Sequence, residues 1–150
     1  MSDPVLSRTA PTMDRLVDMF FYGLHMDAAG LATKGVHPRQ PRIGHIFDHR
    51  IVVATKAILT RAHGEVAEGM VYALTHREID RLYTGLDDYR AEAFIVRIDD
   101  PAPGEPAFVP ALAMVHVAPC IDGALDADYT ARLGTILTAL GLSTSHLPRV

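Results

Sequence analysis

Two adjacent carboxylates, Asp87 and Asp88, stand beside Tyr89 in an acidic turn, and their type and position suit acid–base chemistry. A carboxylate within hydrogen-bond reach of a reacting group can take up one proton and deliver another. In a turn, the same side chains also accept hydrogen bonds from nearby backbone amides, so a purely structural role stays open. Glu92, in the segment that follows, is a less favoured candidate.

A second candidate site is the stretch 22–26, where the pattern of the chain changes most sharply. Large apolar residues over 16–22 predict a buried strand, which stops at a glycine before a short helix-compatible segment over 27–34. Such a corner exposes backbone amides where the helix dipole favours an anion, and the glycine lets a ligand approach the backbone. We expect a carboxylate to bind there. The residues concerned are Tyr22, Gly23, Leu24, His25 and Met26.

Histidines offer a third kind of site. His45 and His49 are four residues apart, a spacing that on a helix would place two imidazoles on one metal ion. The residues around them are rich in Ile, Val and Thr, which predicts a strand instead, and on a strand the two rings lie far apart. A metal centre would need at least three histidines to converge. The candidates are His25, His45, His49, His63 and His116.

Composition limits the class of protein and its partners. A chain of 150 residues with 49% hydrophobic and 21% charged residues fits one globular domain, 1–150, with 1–14 as a loose lead-in. The net charge is −4 and the basic residues are scattered, so we expect neither nucleic acid nor a membrane as partner. A small acidic or zwitterionic ligand remains open, and the oligomeric state is not predicted.

Cysteine usage and hydropathy indicate the compartment. Cys120 is the only cysteine, which leaves no internal disulfide and no thiolate zinc cage. The sequence shows neither a charged-then-apolar leader nor an apolar run of membrane-spanning length. The cytoplasm is therefore the expected compartment.

The elements that must position these residues begin with a loop over 36–42, whose Arg39 and Arg42 we expect to be solvated charges. Strand-like segments follow over 43–50 and 51–60, and a turn is predicted at 62–64. A further strand over 65–74 contains Gly69, which marks a bulge or a close approach of two backbones.

The second half of the chain contains clearer signals for helix ends. Thr75 and Glu78 form a capping box, which predicts a helix that stops at Gly85. A strand over 91–98, a proline-rich connector over 101–106 that resembles a hairpin tip, and a strand over 111–117 come next. A last helix opens at 128–129 and ends at Gly141. The pattern alone predicts an α+β fold with about six strands and three helices.

The chain resembles the gamma-glutamylcyclotransferase-like proteins, in which an apolar strand runs into Tyr-Gly-Ser-Asn-Met or Tyr-Gly-Ser-Asn-Leu. Tyr22, Gly23 and Met26 match that loop, while Leu24 and His25 stand where the family usually has Ser and Asn. Four later features follow the order found in the family, so the resemblance covers 16–147. They are the strand AEGMVYAL over 67–74, the helix after it, the Tyr-Arg pair at 89–90 and the C-terminal helix. It implies a small mixed or antiparallel β-barrel with a few short helices.

The resemblance also implies a chemistry, in which the amine of a gamma-glutamyl group attacks its own gamma-carbonyl and releases an amine and 5-oxoproline. The substrate supplies proximity, so the protein holds it and moves protons, and no cofactor is expected. The family uses a glutamate in the acidic turn, but counting from Leu82 places Leu86 at that position. Either Asp87 or Asp88 takes over this role, or turnover is lost.

Three hypotheses follow. One is a cyclotransferase-type enzyme acting on a gamma-glutamyl amine or a related amino-acid amide, with Tyr89 beside the substrate and a carboxylate in the cavity. Another is a binding domain that holds an acidic small molecule without turnover. The third is a metal-dependent activity that uses the histidines.

Overall fold

The computed structural model describes residues 14–118 and 123–148. Within these ranges the elements are β1 (Leu16–Phe21), a short 3-10 turn (Leu24–Met26), α1 (Ala28–Thr33), β2 (Arg39–Val53), β3 (Ala57–Thr75), α2 (His76–Tyr83), β4 (Tyr89–Ile98), β5 (Phe108–His116) and α3 (Ala127–Leu140). None of the described helices has the length and apolar character needed to span a bilayer.

The strands form a closed barrel in the order β1-β3-β2-β4-β5. Neighbouring strands pair antiparallel except β1 and β5, which run parallel and meet at Met19 and Leu112. The expected α+β fold, a mixed β-barrel with a few short helices, is confirmed. The 101–106 connector is the tip of the β4–β5 hairpin, as predicted.

The predicted turn at 62–64 is wrong, because these residues lie inside β3 and the chain reverses earlier, at 54–56. Gly64 has a φ of +78° and sits opposite Asp48, which also has a positive φ, of +58°. The Asp48 carboxylate accepts a hydrogen bond of 2.9 Å from the Gly64 amide, and the β2–β3 register shifts between Phe47 and His49. The glycine therefore makes a bulge in a continuous strand, so residues 14–118 and 123–148 form five strands and not six.

The predicted loop over 36–42 ends four residues earlier than expected, since β2 begins at Arg39. Its arginines are not simply solvated charges. Arg39 pairs with Glu78 at 2.8 Å, and Arg42 forms a two-pronged pair with Asp18, with its shorter contact at 2.6 Å. The Arg42 side chain is only 14% exposed. Both partners come from elements distant in sequence, which local composition does not reveal.

The core fills the barrel and the space between the barrel and α3. Met19 and Phe20 of β1 are buried, as are Leu133 and Leu137 of α3. Gly69 of β3 is a point of close approach, as predicted: a Cβ there would collide with the Phe21 carbonyl and lie 2.7 Å from the Phe20 ring. The absence of a side chain at Gly69 therefore lets the end of β1 approach β3 closely.

The helix ends follow the sequence signals. Thr75 and Glu78 form the predicted capping box of α2, with hydrogen bonds of 3.2 and 2.9 Å. Gly85 has a φ of +84° just beyond the helix, and Gly141 ends α3 in the left-handed conformation. The α3 helix begins one residue earlier than predicted because Asp126, not Asp128, caps it.

Candidate functional site

A cavity of about 420 Å³ lies where the loop after β1 meets the end of α2, the start of β4 and the N-terminal and middle turns of α3. Its volume is suited to a small molecule. The residues that line it are Phe20, Phe21, Tyr22, Gly23, Leu24, His25, Asp27, Gly30, Thr33, Lys34, Lys56, Ala57, Tyr83, Leu86, Tyr89, Met114, Tyr129, Arg132 and Ile136.

Most of the expected binding residues lie on this cavity. Tyr22, Gly23, Leu24, His25 and Tyr89 all line it. Met26, the remaining member of the loop, does not: its side chain is fully buried in the core, and its carbonyl accepts a 2.6 Å hydrogen bond from the hydroxyl of Tyr72.

The expected catalytic residues lie elsewhere. Asp87 and Asp88 are exposed and neither is among the lining residues. The Asp88 carboxylate lies 3.9 Å from His116, and the carbonyl of Asp87 accepts a hydrogen bond from Arg90. Glu92 is also exposed and absent from the lining. The structure therefore does not bring these carboxylates together with the loop.

Leu86 lines the cavity at the position where the resemblance implies a glutamate. The Leu86 amide donates to the Tyr83 carbonyl at 3.0 Å, and the positive φ of Gly85 turns the chain between them. This tight turn places residue 86, and not residue 87, on the lining of the cavity. An aliphatic side chain thus lines the cavity where the resemblance implies an acid.

The loop itself is closed by short backbone hydrogen bonds. The Met26 amide donates to the Gly23 carbonyl at 3.0 Å, which forms the 3-10 turn. At the start of α1 the Asp27 carboxylate accepts a hydrogen bond from the Ala29 amide at 3.3 Å. The anion expected at this helix start is therefore supplied by the chain itself. Gly23 remains open to the cavity, where an added Cβ would lie 2.9 Å from the hydroxyl oxygen of Tyr129.

Tyrosine hydroxyls provide much of the polar surface of the cavity. Tyr22 donates to the Met114 carbonyl at 2.8 Å, and Tyr129 accepts from the Ala57 amide at 3.1 Å. Burial raises the pKa of all four lining tyrosines, and for Tyr83 the nearby Tyr22 and Tyr89 add to this effect. These side chains are therefore neutral hydrogen-bonding groups at neutral pH.

His25 is held in the uncharged state. Burial is the largest cause, and the positive charges of Lys34 and Lys56 add to it, so that the pKa of His25 falls to about 4. Its ring meets Phe21 and Tyr83 edge to face, at 5.9 and 5.7 Å between ring centres. A neutral imidazole has one donor and one acceptor nitrogen, so it can pass a proton between two partners.

The charged residues of the cavity are mainly cationic. Lys34 follows α1, Lys56 lies in the β2–β3 turn and Arg132 projects from α3, while Asp27 is the only carboxylate in the lining. Because Asp27 already caps α1, the net field favours an anionic ligand. These cations come from three separate elements, and no local pattern in the sequence indicates that they converge.

Tyr83 and Tyr129 line the cavity, although the sequence pattern placed Tyr83 only within a helix and Tyr129 only at the start of one. Four of the five tyrosines of the chain line the cavity. A tyrosine combines a ring that packs against the core with a hydroxyl that seeks a partner. The only sequence signal for this site was the presence of tyrosines at the end of α2 and at the start of α3.

The histidines do not converge on a metal site. His45 lies between Glu68 and Asp99, His49 contacts Phe94, and His63 is fully exposed. His116 lies against Tyr89, away from His25. Over residues 14–118 and 123–148 no group of three or more potential ligands is placed to hold a metal ion. Cys120 lies outside the described residues.

No family model and no curated protein matches the chain. Solved structures do match. A gamma-glutamyl cyclotransferase superimposes with a TM-score of 0.66 at 10% identity, covering 91% of this chain and 90% of the other. A protein of Arabidopsis thaliana gives a TM-score of 0.62 at 14% identity, covering 87% and 83%. An AIG2-like protein of Mus musculus gives 0.55 at 12% identity, covering 90% and 89%. The barrel, its helices and these superpositions together show that this chain has the gamma-glutamylcyclotransferase-like fold.

Proposed function

We propose that the cavity binds a small gamma-glutamyl amine or a related amino-acid amide and cyclises it, releasing 5-oxoproline and an amine. The observation that supports this proposal is the position of the cavity, on the Tyr-Gly loop, in a fold shared with a gamma-glutamyl cyclotransferase. The single cysteine supports the cytoplasm as the setting of this activity.

Binding depends on the cations and the aromatic walls. Lys34, Lys56 and Arg132 supply positive charge for the carboxylate of the substrate. Neutral tyrosine hydroxyls supply donors for a carbonyl, and the apolar walls exclude water around the folded chain of the substrate. Holding the amine against the gamma-carbonyl supplies the proximity that cyclisation needs.

Turnover also requires proton transfer from the attacking ammonium to the leaving amine. The catalytic role that the sequence suggests for Asp87 and Asp88 stays a prediction, and their exposed positions weaken it. If either acts, replacing it with Asn should lower turnover by about 10²–10⁴-fold with binding mostly intact.

The test is release of 5-oxoproline from gamma-glutamylalanine, gamma-glutamylethylamide and gamma-glutamyl-4-nitroanilide, with parent, Asp87→Asn and Asp88→Asn proteins. Release by the parent supports the proposal, and survival of activity in both variants removes these aspartates from the mechanism. Absence of release from every compound contradicts cyclisation.

A binding domain without turnover is the second candidate, and the presence of Leu86 in the cavity favours it. Under this alternative the parent protein binds glutamate or 5-oxoproline in calorimetry but releases no product. Leu86→Glu, with Leu86→Gln as the uncharged control of equal size, should then create 5-oxoproline release. If Leu86→Glu and Leu86→Gln behave alike, the missing carboxylate is not the reason for inactivity.

A further inference from the structure

We infer that the Tyr83 hydroxyl donates the proton to the leaving amine, and that His25 and Lys34 form the relay that returns a proton to Tyr83. The inference rests on the cyclisation proposed above and names the groups that take the place of the absent glutamate. All three side chains line the cavity and are joined by hydrogen-bond contacts.

The direction of the relay follows from the chemistry of its members. Lys34 Nζ lies 3.3 Å from His25 Nε2, and an ammonium group can only donate, so Nε2 is the acceptor. A neutral imidazole with Nε2 as acceptor has its proton on Nδ1. His25 Nδ1 lies 3.4 Å from the Tyr83 hydroxyl, so it donates to that oxygen. The hydroxyl proton of Tyr83 is left free for a ligand.

The surroundings keep the relay in this state. His25 is fixed between the rings of Phe21 and Tyr83, and burial keeps it neutral and Tyr83 protonated. The Tyr83 ring also packs against Tyr89, at 6.2 Å between ring centres. The other titratable or charged groups that line the cavity with His25 are Asp27, Lys34, Lys56, Arg132, Tyr22, Tyr83, Tyr89 and Tyr129.

The proposed step conserves protons and charge. The free amine of the gamma-glutamyl group attacks the gamma-carbonyl carbon, and the bond from that carbon to the leaving nitrogen breaks. The leaving nitrogen takes the Tyr83 hydroxyl proton, the Tyr83 oxygen takes the Nδ1 proton of His25, and Nε2 takes a proton from Lys34. The attacking ammonium loses two protons in all. The first goes to water before the attack and is taken up by the released amine, and the second leaves that nitrogen after the attack and restores Lys34 through water, so 5-oxoproline keeps one N–H.

Leaving-group dependence tests the role of Tyr83. The 4-nitroanilide leaves without needing a proton because its amine is weakly basic, whereas an alkylamine must be protonated as it departs. Tyr83→Phe should therefore lower kcat for gamma-glutamylethylamide by about 10²–10⁴-fold but change kcat for the 4-nitroanilide far less. An equal loss for both compounds, or no loss, overturns the assignment of Tyr83 as the donor.

A pH profile tests the relay, in which His25 acts as a positioning residue through Tyr83. Lys56→Met removes one of the positive charges that lower the pKa of His25 and leaves the three groups of the relay in place, so the acid limb of kcat should move to higher pH. The imidazole titration seen by NMR should move with it. His63→Asn is the control, since His63 is exposed and remote, and it should leave both curves unchanged. An acid limb that stays in place while the imidazole titration moves overturns the relay.

The same experiments separate this inference from the proposed function. Turnover by the parent with unaltered turnover in Tyr83→Phe and His25→Asn supports cyclisation and overturns the relay. Ligand binding in calorimetry without turnover by the parent overturns both the relay and cyclisation and leaves the binding domain. Failure of the parent to bind any compound of the panel overturns all three.

Discussion

Residue 86 sets the chemistry available in the cavity, because the tight turn at Gly85 directs its side chain towards the ligand space. A leucine there cannot transfer a proton, so any turnover must use another group. The neutral His25 and the hydroxyl of Tyr83 stand within the same cavity and are 3.4 Å apart. The cavity therefore contains groups capable of acid–base chemistry other than residue 86.

Gly23 provides the first residue-level prediction. A Cβ at this position would lie 2.9 Å from the Tyr129 hydroxyl, so Gly23→Val should push side chains into the cavity and abolish binding of glutamate or 5-oxoproline. Circular dichroism should show little change in secondary structure. Gly134→Ala, on α3 outside the lining, is the control and should bind normally. Normal binding by Gly23→Val would show that the ligand lies elsewhere.

Glu78 provides a prediction about pH. Burial alone would raise the pKa of Glu78, but hydrogen bonds from Arg39 and from the backbone amides of Thr75 and His37 outweigh it and lower the pKa to about 2. A carboxyl with a lowered folded-state pKa stabilises the protein above its unfolded pKa, roughly 4.3, and loses that contribution as the pH falls towards 2.

Urea unfolding between pH 5 and pH 2 measures this contribution. The parent should lose roughly 3 kcal/mol more stability over this interval than Glu78→Gln, which cannot titrate. Glu65→Gln, an exposed change on β3, should follow the parent. Parallel curves for parent and Glu78→Gln would contradict the lowered pKa.

At the scale of the element, α2 depends on its first turn. The Thr75 hydroxyl accepts a hydrogen bond from the Glu78 amide, so Thr75→Ala should lower the free energy of unfolding by about 1 kcal/mol. Neither residue lines the cavity, and 5-oxoproline release should be unchanged. Thr138→Ala, exposed on α3, should not destabilise the protein. Loss of turnover without loss of stability would place the start of α2 in the site.

The pairing of β3 with the end of β1 depends on a glycine in β3. In Gly69→Ala the added methyl group would collide with the Phe21 carbonyl and with the ring of Phe20, which are both buried. Because the core is close-packed, we expect a loss of about 1–3 kcal/mol in chemical denaturation. Gly64→Asn, in open space on the same strand and compatible with a positive φ, should cost much less. Equal effects of the two changes would contradict the close approach.

At the scale of the whole molecule, the barrel is closed by two short seams. Strand β2 meets β4 only at Gly44 and His45, and β1 meets β5 at one register pair. Beyond these pairs, the outer half of β2 pairs with β3 alone. By contrast, the last six residues of β3 lie between β1 and the start of β2. We therefore expect the hairpin of β2 and β3 to be more stable at the end that pairs with β1 than at its outer end.

Hydrogen exchange measures this unevenness. Amides over 70–74 should exchange slowest, close to the rate set by global unfolding, because strands flank them on both sides and their side chains are buried. Amides over 49–61, in the outer hairpin, should exchange faster through local opening. Uniform protection across both segments would contradict a barrel held mainly at the β1–β3 contact.

Local signals in the sequence predicted β1 and the ends of α2 and α3 closely, but not the turn between β2 and β3. Each of these signals acts within a few residues of the chain, so it can be recognised without knowledge of the fold. They are the capping box at Thr75 and Glu78, the glycine after α2 and the apolar run of β1. The resemblance at the Tyr-Gly loop indicated residues that line the cavity, and counting from Leu82 in the acidic turn indicated Leu86, which also lines it.

Only the tertiary structure decided which groups meet. Gly64 was equally compatible with a turn and a bulge, and the pairing of β2 with β3 selected the bulge. Arg42 gained a carboxylate partner from β1, and His25 gained Lys34 and Tyr83, which are 9 and 58 residues away along the chain. Contacts of this kind form when non-adjacent strands and helices pack, and their free energy depends on burial and distance. A linear pattern of residue types determines neither quantity.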